Sequence, residues 1–378
     1  MNIYQTITDP ASMAALKSLH KTNPKKFAAW DFSVAGKMQV TAKNENIDVD
    51  ENGTVVGLDL SGKKIKDLAP LAGLKKLTKL DLDDNEIRDL APLAGLKQLN
   101  SLIVKCGSKV KDLSPLAGLK NLTYLKLSSS NGKVSDLTPL ASLTKLTSLD
   151  LGWNNSISDL TPLAGLTALT YLDLAVNWVS DLTPLAGLKN LTNLDLAENR
   201  VIDLTPLAGL TALTELNLGV NWDLSDLTPL AGLKNLTGLN LGANMVGDLT
   251  PLADLTALTE LNLGANDEVS DVSPLAGLKN LKYLVLAETE VSDVSPLAGL
   301  KNLKYLNLEE TEVSDVSPLA GLKSLTDLRL KQNKNKVIDV SPLAGLTNLR
   351  YLNLSLDKVK NLTALDGLKK LEITEEID

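Results

Sequence analysis

The chain is 378 residues long and 44% apolar, yet only 3% of it is aromatic, and its formal charge is -8 at pH 7. With one histidine, His20, and one cysteine, Cys106, a His/Cys metal cluster, an internal disulfide and a histidine-assisted serine or cysteine nucleophile are nearly excluded. The net negative charge argues against nucleic acid or an anionic membrane as the main partner, since both demand a basic face, and no apolar run approaches a membrane span.

Residues 1–54 stand apart in composition. Asp9 and Pro10 open a helix that continues through Ala11 to His20, and Phe27, Trp30 and Phe32 crowd just beyond it, so this segment is expected to form a hydrophobic cap. Ile47 to Val49, a turn at Asp50 to Gly53, and Val55 with Val56 predict a hairpin that leads into the remainder of the chain. Met1 to His20 has no basic start followed by an apolar stretch. A cytoplasmic protein is therefore expected if Met1 is the native start, and a secreted or cell-surface one if the natural chain begins earlier.

From about Val55 the chain repeats itself. The string DLTPLAGL and close variants return every 22 to 24 residues from Asp67 onward, and thirteen of the fifteen prolines, from Pro70 to Pro342, fall on one position of it. Ala364 takes that place once more, giving about fourteen copies across 55–378. In the unit that begins at Leu169, Leu172 and Leu174 alternate with Tyr171, Asp173 and Ala175, the period of a short strand with one buried and one open face. Thr183 before Pro184 then suits the N-cap of a single 3₁₀ or helical turn. Leu169, Leu172, Leu174, Val179, Leu182, Leu185 and Leu188 are expected to point inward. One such unit cannot bury its own apolar face, so neighbours must stack strand beside strand into a solenoid with a parallel sheet. Near the far end Leu371, Glu372 and Ile373 begin a last strand.

LxxLxLxxN joined to DLxPLAGL in a 22-residue period resembles the short leucine-rich repeats of bacterial internalin-type proteins. The resemblance implies an α/β solenoid in the form of a horseshoe or arc, with a concave parallel sheet and 3₁₀ or helical turns on the convex side. It also implies a role in binding other proteins, often through concave aromatics.

Two polar positions of the repeat are expected to serve the fold. The aspartate ahead of each turn, as in Asp67 or Asp181, can accept backbone N–H groups. The asparagine that closes the strand, at Asn85, Asn154, Asn177, Asn199, Asn221, Asn244, Asn266 and Asn333, can satisfy both a donor and an acceptor of the turning backbone. Cys106 reads as a buried apolar filler. Asp81, Asp83, Asp84 and Asn85 lack the glycine and distal glutamate of a calcium loop. No metal and no cofactor are expected.

The informative positions are those the repeat does not require. Five of the six tyrosines share one outward position, at Tyr124, Tyr171, Tyr283, Tyr305 and Tyr351. The next outward position runs through Asp150, Asp173 and Asp195 and then turns to asparagine from Asn217. Trp153, Trp178 and Trp222 flank the asparagine ladder at the strand ends, where a core role is hard to assign. Three consecutive units gain residues between strand and turn, within Lys105 to Val110, Ser128 to Val134 and Gly152 to Ile157, and such insertions mark one edge of a solenoid. The candidate partner-binding patch is therefore Tyr124, Lys126, Asp150, Trp153, Tyr171, Asp173, Trp178, Asp195 and Trp222. A second patch comprises Tyr283, Tyr305, Arg329, Lys331 and Tyr351. The expected function is non-enzymatic recognition of a protein or peptide by a monomer, with the acidic stripe selecting a basic segment. Alternatives are a glycan-binding or cell-surface adhesin module, a glycan-acting enzyme using two carboxylates of the stripe, and a lattice binder built on the threonine ladder Thr123, Thr147 and Thr170.

Overall fold

The computed structural model describes residues 4–22, 25–26, 38–41, 47–105, 110–128, 134–331 and 337–374, which fall into two compact units, 1–179 and 180–378. Phe27, Trp30, Phe32, Cys106, Asn333 and the first two inserted segments lie outside the described residues.

The first unit begins with β1 (Tyr4–Ile7), helix α1 (Pro10–Thr22), β2 (Met38–Thr41), β3 (Ile47–Val49) and β4 (Val55–Asp59). β1 and β2 pair antiparallel. Asp9 caps α1 as its sequence predicts, its Oδ2 accepting the Ser12 N–H at 2.7 Å. Ser12, Ala15, Leu16 and Leu19 are buried, one helical stripe at i, i+3, i+4 and i+7. Ser12 Oγ accepts the Val55 N–H at 3.1 Å inside that contact, so the helix is tied to the first repeat strand by a buried hydrogen bond. β3 and β4 form the expected antiparallel hairpin. At its tip Asp50 Oδ1 accepts the N–H groups of Asn52 and Thr54, and Gly53 adopts a φ of +73°, a conformation that costs glycine nothing.

From β4 onward the strands run parallel, through Lys79–Leu82, Ser101–Lys105, Tyr124–Ser128, Ser148–Asp150 and Tyr171–Asp173. Their register places Leu80, Leu102, Leu125, Leu149 and Leu172 side by side. The second unit repeats the design from Asn193–Asp195 to Tyr351–Asn353 and closes with Glu372–Thr374, the last strand anticipated from the sequence. A short parallel pair, Ile338–Asp339 with Val359–Lys360, stands apart from that sheet. The seven aliphatic side chains expected to point inward are all buried. Both units are thus stacks of one α/β solenoid repeat, with a leucine core between strand and turn.

Short 3₁₀ helices such as Thr161–Leu163 and Thr183–Leu185 return the chain. Here the structure corrects the expected cap. Leu182, not Thr183, occupies the N-cap position and makes no side-chain cap, while Asp181 Oδ1 accepts the Thr183 N–H at 2.8 Å. The carboxylate two residues ahead reaches the amide first, and the hydroxyl turns donor: Ser114 Oγ donates to Asp112 Oδ2 at 2.9 Å. Hydrogen bonds from the hydroxyl and amide of Thr161 hold Asp159 below the ordinary carboxylate range, and those of Thr205 do the same for Asp203.

Candidate functional site

A binding surface becomes visible only once the groups occupied by the scaffold are subtracted. The asparagine ladder is one such group. Asn177 Nδ2 donates to the carbonyls of Leu151 and Leu174 at 3.0 Å each, and its Oδ1 accepts the Ile157 N–H. In the second unit Asn221 donates to Leu196 and Leu218 and accepts from Val201. Where threonine replaces asparagine, at Thr289 and Thr311, the buried hydroxyl donates to the carbonyl three residues back. Among the described residues the one just ahead of the ladder is held at positive φ in nine repeats, as at Val176, Val220 and Ala243.

The outward acidic stripe is a second ladder, and sequence reasoning missed it. Asp150 Oδ1 accepts the Gly152 N–H at 3.1 Å, Asp173 Oδ1 the Ala175 N–H at 2.8 Å, and Asp195 Oδ1 the Ala197 N–H at 2.9 Å. Asn217, Asn240 and Asn262 do the same with their amide oxygens. Carboxylate and carboxamide serve the turn alike as acceptors two residues ahead of an amide, while Ile103, Lys126, Val285 and Arg329 fill the same register position without one. Asp150 is further engaged by Lys126, Nζ to Oδ2 at 2.8 Å, and this hydrogen bond raises the Lys126 pKa. Nearer the cap, burial lifts the pKa of Asp81, which shares a shallow concavity of about 210 Å³ with Asp48, Asp59 and Lys79. The Asp81, Asp83 and Asp84 cluster is spent on its own turn, with Asp81 and Asp83 accepting the amides of Asp83 and Asp84. Among the described residues no group of three acidic, histidine or cysteine side chains could hold a metal ion.

What remains is aromatic. In the first unit Tyr124 and Tyr171 are exposed on the sheet face in register with Ser148 between them, beside Lys126, Asp150 and Asp173. Trp153 and Trp178 stand at the strand-end edge of the same unit, 61% and 54% exposed. Trp153 is also the left-handed residue of its repeat, at φ +62°, a conformation costly for a bulky side chain. The described insertion lies beside it, where Asn155 adopts a second positive φ. Asp195 and Trp222, the remaining two members of the predicted patch, belong to the second unit, where Trp222 is 67% exposed.

The second unit also carries Met245, 52% exposed, at the place that comes directly after the ladder asparagine, where Trp178 and Trp222 stand in their own repeats. Aligning that position across the repeats would have found it. Three members of the second predicted patch touch one another. Tyr283 and Tyr305 pack with centroids 6.4 Å apart, and the Arg329 guanidinium lies 5.3 Å from the Tyr305 ring centroid. Tyr351 is exposed two strands beyond Tyr305, and Lys331 is half-buried after the strand that carries Arg329.

Similarity to known proteins tracks the repeat. The profile described as Leucine Rich repeats (2 copies) matches residues 55–95, 144–187, 189–232, 279–321 and 301–345. An internalin (inlF) of Listeria monocytogenes is 30% identical, with 98% of each chain covered and a TM-score of 0.70. A leucine-rich repeat protein of Leptospira interrogans is 24% identical over 88% of this chain and 98% of its own, with a TM-score of 0.66. A plant peptide hormone receptor, RGFR1, solved in complex with RGF2, shares the fold at 22% identity over 81% of this chain and 56% of its own, with a TM-score of 0.61. None of the curated proteins compared matches the chain. Among the described residues no helix is long and apolar enough to cross a membrane.

Proposed function

Since this chain belongs to the internalin-type leucine-rich repeat family, we propose that it is a non-enzymatic module that recognises a protein or peptide through its sheet faces and the adjoining strand-end loops. Residues 1–54 then serve as the cap and 55–378 as the recognition domain. One observation carries the reading. Trp153 occupies a left-handed position that other described repeats fill with alanine, valine, glutamate or aspartate, and it stands exposed there. A repeat gains nothing from tryptophan at that place, whereas buried aromatic anchors dominate protein interfaces. Trp178, Trp222, Tyr124 and Tyr171 extend the same logic. The carboxylates Asp150, Asp173 and Asp195 bring negative charge to a position where an amide would serve the turn equally well, and that charge favours a partner segment that is basic.

An enzymatic reading fares worse. Asp150, Asp173 and Asp195 repeat one geometry from strand to strand, each accepting an amide of its own turn, whereas paired acid and base catalysis calls for two carboxylates in contrasting surroundings. The recognition reading is tested by capture experiments with the intact chain and a Trp153→Ala/Trp178→Ala/Trp222→Ala variant of equal thermal stability. A partner held by the parent and lost by the variant is the expected result. A partner retained equally by both removes the tryptophans from the site.

A further inference from the structure

Four adjacent strands of the second unit place Glu260, Tyr283, Tyr305 and Asp327 as successive register partners on one face. The row reads acid, tyrosine, tyrosine, acid, so its two halves are chemically alike. The Asp327 half is already occupied by the protein itself. Arg329, two residues along the same strand, reaches Asp327 Oδ1 with its Nε at 3.5 Å and lays its guanidinium over the Tyr305 ring. The Glu260 half has the same carboxylate and the same kind of ring, but two residues beyond Glu260 stands Asn262, whose short side chain is hydrogen-bonded to its own turn. Beside it in register is Val285. Tyr283 is 44% exposed and Glu260 is exposed. Among the described residues no cation lies over Tyr283 and Glu260 makes no ion pair.

We propose that the Glu260–Tyr283 half binds the guanidinium of an arginine presented by a partner polypeptide, in the manner that Arg329 binds the Asp327–Tyr305 half. The inference rests on the recognition reading and names the chemistry of one contact within it. Arginine is preferred to lysine for a physical reason. Lys282 and Lys304, both exposed, immediately precede the two tyrosines in sequence and lower the negative potential there. Bare charge is therefore a weak attraction at this place. A guanidinium adds what an ammonium lacks, a plane that stacks on the ring and a fork that matches a carboxylate.

The test is a titration of the intact chain at low ionic strength with a capped Gly-Arg-Gly peptide, monitoring the tyrosine ring signals by NMR. Matched peptides carry lysine or citrulline in place of arginine. The arginine peptide is expected to shift the Tyr283 signals and to bind about tenfold more tightly than the citrulline peptide and about threefold more tightly than the lysine peptide. Glu260→Gln and Tyr283→Ala are each expected to weaken it about threefold to tenfold, while Ile202→Ala, at an exposed residue outside both patches, leaves it unchanged. Equal binding of arginine and citrulline, equal binding of arginine and lysine, or indifference to Glu260→Gln overturns the proposal. Glu260→Gln alters an exposed side chain, so loss of fold does not cloud its result. If the arginine peptide fails while a native partner is still lost with the three tryptophans, this inference falls alone and the recognition reading stands.

Discussion

On the outward face Asp150 and Asp173 of the first unit stand where Asn217, Asn240 and Asn262 stand in the second, and the two sets are built the same way. Asp150 and Asp173 accept the amide two residues ahead, as do Asn217, Asn240 and Asn262. The comparison separates what the repeat needs from what it tolerates. At that position it takes a carboxylate or a carboxamide alike, and Ile103, Lys126, Val285 and Arg329 show that it also folds with neither. It needs an amide or hydroxyl at the end of the strand, and a turn residue ahead of the 3₁₀ helix. It does not need tryptophan, tyrosine or a guanidinium. Side chains of the last kind differ from repeat to repeat, and they are where function is to be sought.

The sharpest way to break this comparison is to remove a group the repeat needs. Asn221→Ala leaves the buried carbonyls of Leu196 and Leu218 and the Val201 N–H without their partner. A loss of about 3 kcal/mol in urea denaturation is expected. Asn221→Thr should cost roughly half as much, because Thr289 and Thr311 show that a hydroxyl can hold one of those carbonyls. A smaller collective effect is expected in acid. The turn aspartates Asp136, Asp159, Asp203, Asp226 and Asp248 have pKa values lowered in the folded state by hydrogen bonds from the next threonine. A lowered folded pKa means the stabilisation is complete above the unfolded value of about 4 and is lost as pH falls through the folded values. Melting temperature should therefore hold steady from neutral pH to about 5 and drop below 4. Replacing two of these residues by asparagine should flatten that drop.

Next in size is Asp150→Asn, which keeps the acceptor for Gly152 but removes the ion pair with Lys126. The pair is partly solvated, so a loss of about 0.5 kcal/mol is expected. Asp195→Asn changes charge alone, since an amide oxygen can still accept from Ala197 and from Asn217 Nδ2. A change within about 0.5 kcal/mol is expected, and a larger loss would show that aspartate and asparagine are not equivalent at this position.

Most of the fold was legible in the sequence because one period is printed about fourteen times: the leucines, the asparagine ladder, the hairpin and the Asp9 cap all come from spacing. Thr183 misleads because a threonine before proline satisfies the N-cap pattern, and only geometry shows that Asp181 reaches the amide first. The stripe misleads for a related cause. An aspartate on an open strand face looks like surface charge, and the i to i+2 hydrogen bond that engages it leaves no mark in composition. The Tyr283, Tyr305 and Arg329 cluster is visible as an alignment of residues, but the ring contact and the stacked guanidinium depend on side-chain directions that spacing does not give.

The central claim is that exposed aromatics occupy these positions against the interest of the fold. Trp153→Gly tests it most directly, with melting temperature and partner capture measured on the same preparation. Glycine relieves a left-handed strain on the order of 1 kcal/mol while adding unfolded-state entropy, so a melting temperature equal to or slightly above that of the parent is expected. Partner capture should weaken by at least about tenfold, as for an aromatic hot spot. A melting temperature several degrees lower with capture unchanged would contradict the claim.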